Sequence, residues 1–261
     1  MKNSKGTKDK FIHSQKIHNT LSSEKIVPVL IEMFKPQSVI DIGCGVGNWL
    51  TMFEMNGITD VLGIDGTHLD LSNLLIDSSK IKLFDLEKPF HLDRRFDLAI
   101  SLEVAEHLSQ NAADDFIESL TKLSDIIIFS AAIPYQGGQN HINEQWVEYW
   151  IQKFEKKGYN CYDVFRSIFW DNCEIHWWYR QNMFLAIKPE LENRINGKQT
   201  VCNVVHPDLY ISKMKVLESI NQGKFPLPYY LKLLIKGVLN KIGLYPLKKN
   251  RDHQDAISTI N

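Results

Sequence analysis

Residues 37–50 read QSVIDIGCGVGNWL. An apolar run holding a single acid, Asp41, leads into three glycines at positions 43, 45 and 47. Gly43 and Gly45 let the backbone turn sharply and pass close to a ligand where a Cβ would collide. The stretch therefore predicts strand, tight loop and helix start. Asp41 is costly inside an apolar strand unless the loop or a positive group on a ligand satisfies it. The spacing is not the dinucleotide pattern G-x-G-x-x-G, because the third glycine comes too early.

Upstream, SSEKIVPVLIEMFKP (22–36) has helical apolar spacing and stops at Pro36. Downstream, DVLGIDG (60–66), KIKLFDLEKPF (80–90), RFDLAISLEV (95–104) and LSDIIIFSAAIP (123–134) predict four more strands. Helical patterns at 112–122 and 143–157 fill the gaps. Such alternation points to a parallel sheet with helices on both faces. YNCYDVFRS (159–167) and WWYRQNMFLAIKP (177–189) are expected as two further strands, an antiparallel pair joined by a short loop and closing one edge. Past residue 190 the alternation gives way to two helical patterns, 206–222 and 227–243. The expected organisation is a polar leader over 1–24, a ligand-binding domain over 25–189 and a helical extension over 190–261.

The formal charge of -1 argues against a dedicated nucleic-acid binder. From Glu190 onward there are 11 Lys/Arg against 6 Asp/Glu, so the extension is +5 and residues 1–189 carry -6. Lys232, Lys236 and Lys241 make the last helical pattern basic and amphipathic. It could touch a membrane surface or a partner protein such as a glycosyltransferase; the plainer reading is a helix packed on its own domain with its lysines facing water. Four scattered cysteines, none in C-x-x-C spacing, suggest neither disulfides nor a zinc knuckle. With no signal-like or membrane-spanning run, the protein is expected to be cytoplasmic.

Chemistry-bearing residues gather at SLEVAEHLSQ (101–110), after the fourth strand. If a helix starts at Glu103, Glu106 lies about 60° to one side of it and His107 about 40° to the other. Two carboxylates and an imidazole then converge on one point and call for a cation; the donor set favours Mg²⁺ or Mn²⁺, or else Fe²⁺. The loop after the fifth strand, IPYQGGQNHINEQW (133–146), offers His141 as a fourth ligand and Glu144 in reserve. Glu106 or His107 could instead serve as a plain general base. The competing reading is a solvated first helical turn with no metal.

In order along the chain, Asp41, Gly43, Gly45 and Gly47, then Asp65, then Asp85 with Leu86, then the FDLAISLEV strand, resemble the motifs of class I S-adenosylmethionine-dependent methyltransferases. The resemblance spans about residues 25–189. It implies a Rossmann-like seven-stranded α/β sheet with S-adenosylmethionine beyond the carboxyl ends of the strands. It places Asp65 at the cofactor's ribose and Asp85 with Leu86 at its adenine. Cys44, Asn48, Gly66, Ser101 and Leu102, beside these motifs, join the expected cofactor site. Glu103, Glu106, His107 and His141 further resemble the metal site of small-RNA 3′-terminal 2′-O-methyltransferases, where the ion grips two vicinal ribose hydroxyls.

The acceptor is less defined. Trp177, Trp178 and Tyr179, expected at the start of a strand, suit a sugar or base, with Arg166 or Arg180 meeting a phosphate. GGQNHINEQWVEYW, WWYRQN and VVHPDLY together resemble bacterial methyltransferases of surface-polysaccharide pathways. The reading is an O-methyltransferase, metal-assisted, acting on a sugar, nucleotide sugar or glycan. RNA 2′-O-methylation, quinone or phenol O-methylation and a non-catalytic scaffold are the alternatives.

Overall fold

The computed structural model describes residues 20–195 and 200–243. Most of the expected leader and the end of the tail lie outside the described residues. Helix α1 (Leu21–Phe34) buries Ile26, Val27, Leu30 and Phe34 along one stripe and ends at Lys35, which turns left-handed just before Pro36. Strand β1 (Ser38–Ile42) follows, then α2 (Asn48–Met55), β2 (Asp60–Asp65), the three-residue β3 (Ile81–Leu83) and β4 (Leu98–Leu102). Helix α3 (Ala113–Leu123) leads to β5 (Ile126–Ser130), α4 (Val147–Glu155) and β6 (Asn160–Tyr162). Helices α5 (Arg166–Phe169) and α6 (Trp177–Asn182) precede β7 (Phe184–Ile187).

The seven strands lie in the order β3-β2-β1-β4-β5-β7-β6. Strands β1 to β5 pair in parallel, and β7 runs antiparallel between β5 and β6. Every residue of β1, β4, β5 and β7 is buried, as covered central strands require. On one face Phe129 and Phe184 pack against Phe116 of α3 and Trp150 and Phe154 of α4. On the other, Val39, Ile100 and Ile128 join Ile26 and Leu30 of α1 with Leu50 and Phe53 of α2. Fully burying one such phenylalanine is worth about 2–3 kcal/mol. Asp97 ties β1 to β4 at their start, accepting from the backbone N–H of Gln37 and Ser38.

Two expected strands are corrected. The one at 159–167 stops at Tyr162, and the one at 177–189 begins only at Phe184, so a helical connection replaces the short loop. Phe184 pairs with Phe129, one residue from the end of β5. Residues before it overshoot the sheet, find no ladder, and satisfy their backbone by coiling into α6.

The chain divides into compact units Met1–Leu209 and Tyr210–Asn261. Thr200 bridges to Tyr162 and Val201 is buried in the core, which ties this segment to the first unit. Helix α7 (Pro207–Asn221) crosses the boundary. In the second unit α8 (Leu227–Lys241) follows, with the Tyr230 hydroxyl donating to Ile220 O at 2.8 Å. Among the described residues no helix is long and apolar enough to cross a membrane.

Candidate active site

Strand order reverses between β1 and β4, and in open α/β sheets ligands lie beyond the carboxyl ends of the strands at such a point. There a cavity of about 930 Å³ opens, lined by the 43–46 loop, the ends of β2 and β4, and α6.

The glycine loop forms one wall of it. Gly43, Gly45 and Gly47 all have positive φ (83°, 54° and 91°). A Cβ on Gly43 would lie 2.3 Å from Val104 Cγ2, so the loop packs directly under the turn after β4. Asp65 Oδ2 accepts from Gly45 N–H and Oδ1 from Gly66 N–H, both at 2.6 Å, locking β2 to the loop. Asp41 is buried, with Oδ2 making no hydrogen bond. Burial, then the Asp65 carboxylate, holds its pKa well above the usual range. Burial likewise pushes the Cys44 thiol up, which disqualifies it as a nucleophile.

Asp41, Gly43, Cys44, Gly45, Asn48, Asp65, Gly66, Asp85, Leu86 and Leu102 all line the cavity. Gly47 and Ser101 are not among its lining residues. Gly47 starts α2 with Ile76 against it, and Ser101 is fully buried within β4. The volume, the closely approachable glycine backbone and the unsatisfied Asp41 oxygen fit a nucleoside cofactor bearing a positive group.

The other wall collects the titratable groups. The helix expected at Glu103 does not form: Glu103 is left-handed (φ 57°), Ala105–His107 make a single 3₁₀ turn, and α3 begins only at Ala113. The helical-wheel argument for three converging ligands therefore fails. Glu106, His107 and His141 nevertheless converge, with one ligand atom from each within 4.8 Å of the others. The two imidazoles sit edge to face at 4.9 Å. Glu106 is fully buried and neither carboxylate oxygen makes a hydrogen bond of ordinary geometry. Burial first, then the Glu103 carboxylate, raises its pKa well above normal.

Glu103 stands outside this trio. Its carboxylate accepts from Gln136 Nε2 at 2.8 Å and Asn182 Nδ2 at 3.1 Å, while its N–H donates to Ser130 O. Its pKa is raised by burial, and these hydrogen bonds oppose the rise. Glu144 braces the loop, accepting from Tyr135 and Gly137 N–H and meeting His141 Nδ1 at 3.0 Å. A carboxylate so placed orients a ligating imidazole through its other nitrogen. Ile142 and Asn143 N–H both donate to Glu106 O, pinning the loop to the 3₁₀ turn. Gly138 makes room for the ring: a Cβ there would lie 2.1 Å from His141 Nε2.

A dry, unsatisfied carboxylate beside two imidazoles is a donor set that fits a divalent cation. Those three residues would hold it, with Glu103 held off by its amide partners.

Trp177, Trp178 and Tyr179 line the cavity from α6 and do not alternate across a strand. Trp178 stacks on His176 at 4.3 Å and Tyr179 meets Trp49 edge-on at 5.2 Å. Arg166 is committed to Asp163, Gln181 O and Cys202 O, and Arg180 to Trp170 O and Asp208, so neither reaches out for a phosphate. Sequence reasoning missed Gln136, Asn182 and His176. The signal for His176 and Asn182 was a polar side chain beside aromatic residues, while Gln136 lies in a polar loop that gave none.

A family model described as "Methyltransferase domain" matches residues 18–164, more than half of the chain. Among solved structures, the methyltransferase domain of bacterial CtHen1 is 20% identical, covering 63% of this chain and 96% of that one, with a TM-score of 0.44. Magnesium protoporphyrin IX methyltransferase of Synechocystis PCC 6803, with bound SAH, is 16% identical over 64% of this chain and 83% of that one, TM-score 0.49. DesVI of Streptomyces venezuelae is 11% identical over 65% and 91%, TM-score 0.47. No curated protein sequence matches the chain.

Proposed function

The chain belongs to the methyltransferase-domain family, and on that premise we propose that it transfers the methyl group of S-adenosylmethionine to a hydroxyl of a sugar, nucleotide sugar or glycan, assisted by a divalent cation. The observation that carries this reading is Glu106, buried in the cavity without a hydrogen bond of ordinary geometry and flanked by His107 and His141.

When bound, the cofactor supplies a methyl group already activated by its sulfonium. The glycine loop lets that molecule approach the backbone, and Asp41 meets its positive end. Asp65 stands at the end of β2, where a ribose would lie, with each oxygen keeping acceptor capacity beyond the amide it serves. Glu106, His107 and His141 would hold the cation, whose charge would make an acceptor hydroxyl beside it more acidic. As the O–CH₃ bond forms and the S–CH₃ bond breaks, the acceptor's proton must leave; in the metal-free variant Glu106 or His107 would receive it instead as a plain general base. Glu103, fixed by Gln136 and Asn182, faces the same space and suits a second acceptor hydroxyl. The aromatic rings of α6 provide flat apolar faces for a sugar ring. Commitment of Arg166 and Arg180 inside the protein weighs against a phosphate-rich RNA acceptor.

The test is methyl transfer from labelled cofactor to panels of nucleotide sugars, oligosaccharides, phenols and RNA, each with and without EDTA. The reading predicts transfer to a hydroxylated sugar, abolished by EDTA and restored by Mn²⁺ or Mg²⁺. Transfer to RNA or phenols alone, or full activity in EDTA, contradicts it.

A further inference from the structure

Helix α8 carries an apolar stripe that the second unit leaves in solvent. At about 100° per residue, Leu227, Leu231, Leu234, Ile235, Val238 and Ile242 fall within an arc of about 100°. All six are at least half exposed, from 50% at Leu231 to 69% at Leu227. On the same wheel Lys241 lies about 20° beyond one edge of the stripe and Lys232 about 60° beyond the other. Lys236 lies on the far side, and the helix LPYYLKLLIKGVLNK contains no acidic residue. An apolar stripe edged by lysines and free of acids is the pattern of a helix lying in a lipid headgroup layer, with its lysine stems snorkelling to the phosphates.

We propose that α8 docks the protein on an anionic membrane surface, lying in the interface with its leucine stripe against the acyl chains. Fifteen residues span about 22 Å, short of the roughly 30 Å hydrocarbon core, so the helix rests on the bilayer and does not cross it. Charge complementarity favours lipid over a second copy of the chain. Two α8 helices stripe to stripe would bring lysines against lysines with no acid on either helix to meet them.

The experiment is co-sedimentation of the full chain with vesicles of phosphatidylcholine, with or without phosphatidylglycerol. The protein is expected to partition onto the phosphatidylglycerol vesicles, less so in high salt, and weakly onto phosphatidylcholine alone. Leu234→Glu with Val238→Glu abolishes partitioning. Lys232→Gln and Lys241→Gln, surface changes that spare the fold, each lower it about fivefold. Methyl transfer to a soluble acceptor is unchanged in all of them. The proposal is overturned by three results: no partitioning onto phosphatidylglycerol vesicles, equal partitioning onto both lipids, or a dimer in analytical ultracentrifugation that the stripe variant dissolves.

Discussion

The two walls of the cavity are built by opposite means. On the cofactor wall, neighbours in sequence do most of the work. Gly43 and Gly45 turn the chain, and Asp65 spends both oxygens on loop amides. Asp41 Oδ2 is buried there with no hydrogen-bond partner. On the acceptor wall, residues from three distant segments meet: the 3₁₀ turn at 105–107, the loop holding Gln136 to Glu144, and Asn182 at the end of α6. That wall leaves Glu106 buried with no hydrogen bond of ordinary geometry. The first wall ties Asp65 to backbone amides, while the second gathers a buried carboxylate and two imidazoles whose burial a bound cation would offset.

The sharpest way to break this contrast is Glu106→Gln. Methyl transfer should fall by about a hundredfold or more, as loss of a ligand or base does. The cofactor-free protein should melt no lower than the parent, because an uncompensated buried charge has gone. A Tm several degrees lower would show that Glu106 supports the fold. Gly138→Ala comes next. Gly138 does not need positive φ, so the new Cβ acts through the His141 ring 2.1 Å away. Activity should drop about 10- to 100-fold with cofactor affinity unchanged. Equal loss of cofactor binding in a binding titration would mean the two walls are not separable.

How much of this was legible in the sequence follows the same division. The 37–50 stretch predicted β1, the loop and α2, because its chemistry is local. Asp65 and Asp85 followed from their places at strand ends. Glu106, His107 and His141 could be nominated, yet the helical turn meant to gather them does not exist. A left-handed Glu103 leaves no periodic trace in sequence. Trp177–Asn182 looked like strand because aromatic residues favour sheets, but β5 ends too soon to pair with them. The segment to Leu209 belongs to the first unit through isolated anchors. One is His206, whose N–H donates to Gln181 Oε1 at 2.7 Å, a contact between positions with no sequence pattern.

Smaller effects sharpen the comparison. Asn182→Ala removes a donor from Glu103 and leaves the Gln181 amide without its partner at 2.8 Å. Urea unfolding should register a loss of about 1–3 kcal/mol. No loss would mean the amide network is incidental. Smallest is the pH dependence from Asp41. Its folded pKa is raised, so the folded chain holds this proton more tightly than the unfolded one. Stability of the cofactor-free protein should therefore be fully kept below the ordinary carboxylate pKa and fall as pH rises through the raised one. Asp41→Asn should flatten that decline by at most about 1.4 kcal/mol per pH unit. An unchanged slope in urea midpoints would remove Asp41 as its source.

The central claim is that Glu106, His107 and His141 close on a divalent cation. Mn²⁺ binding to the full chain, followed by electron paramagnetic resonance, tests it without any acceptor. The account predicts one ion bound per chain and its loss when Glu106→Gln and His141→Ala are combined. Failure of the parent protein to bind Mn²⁺, or equal binding by the double variant, would contradict it.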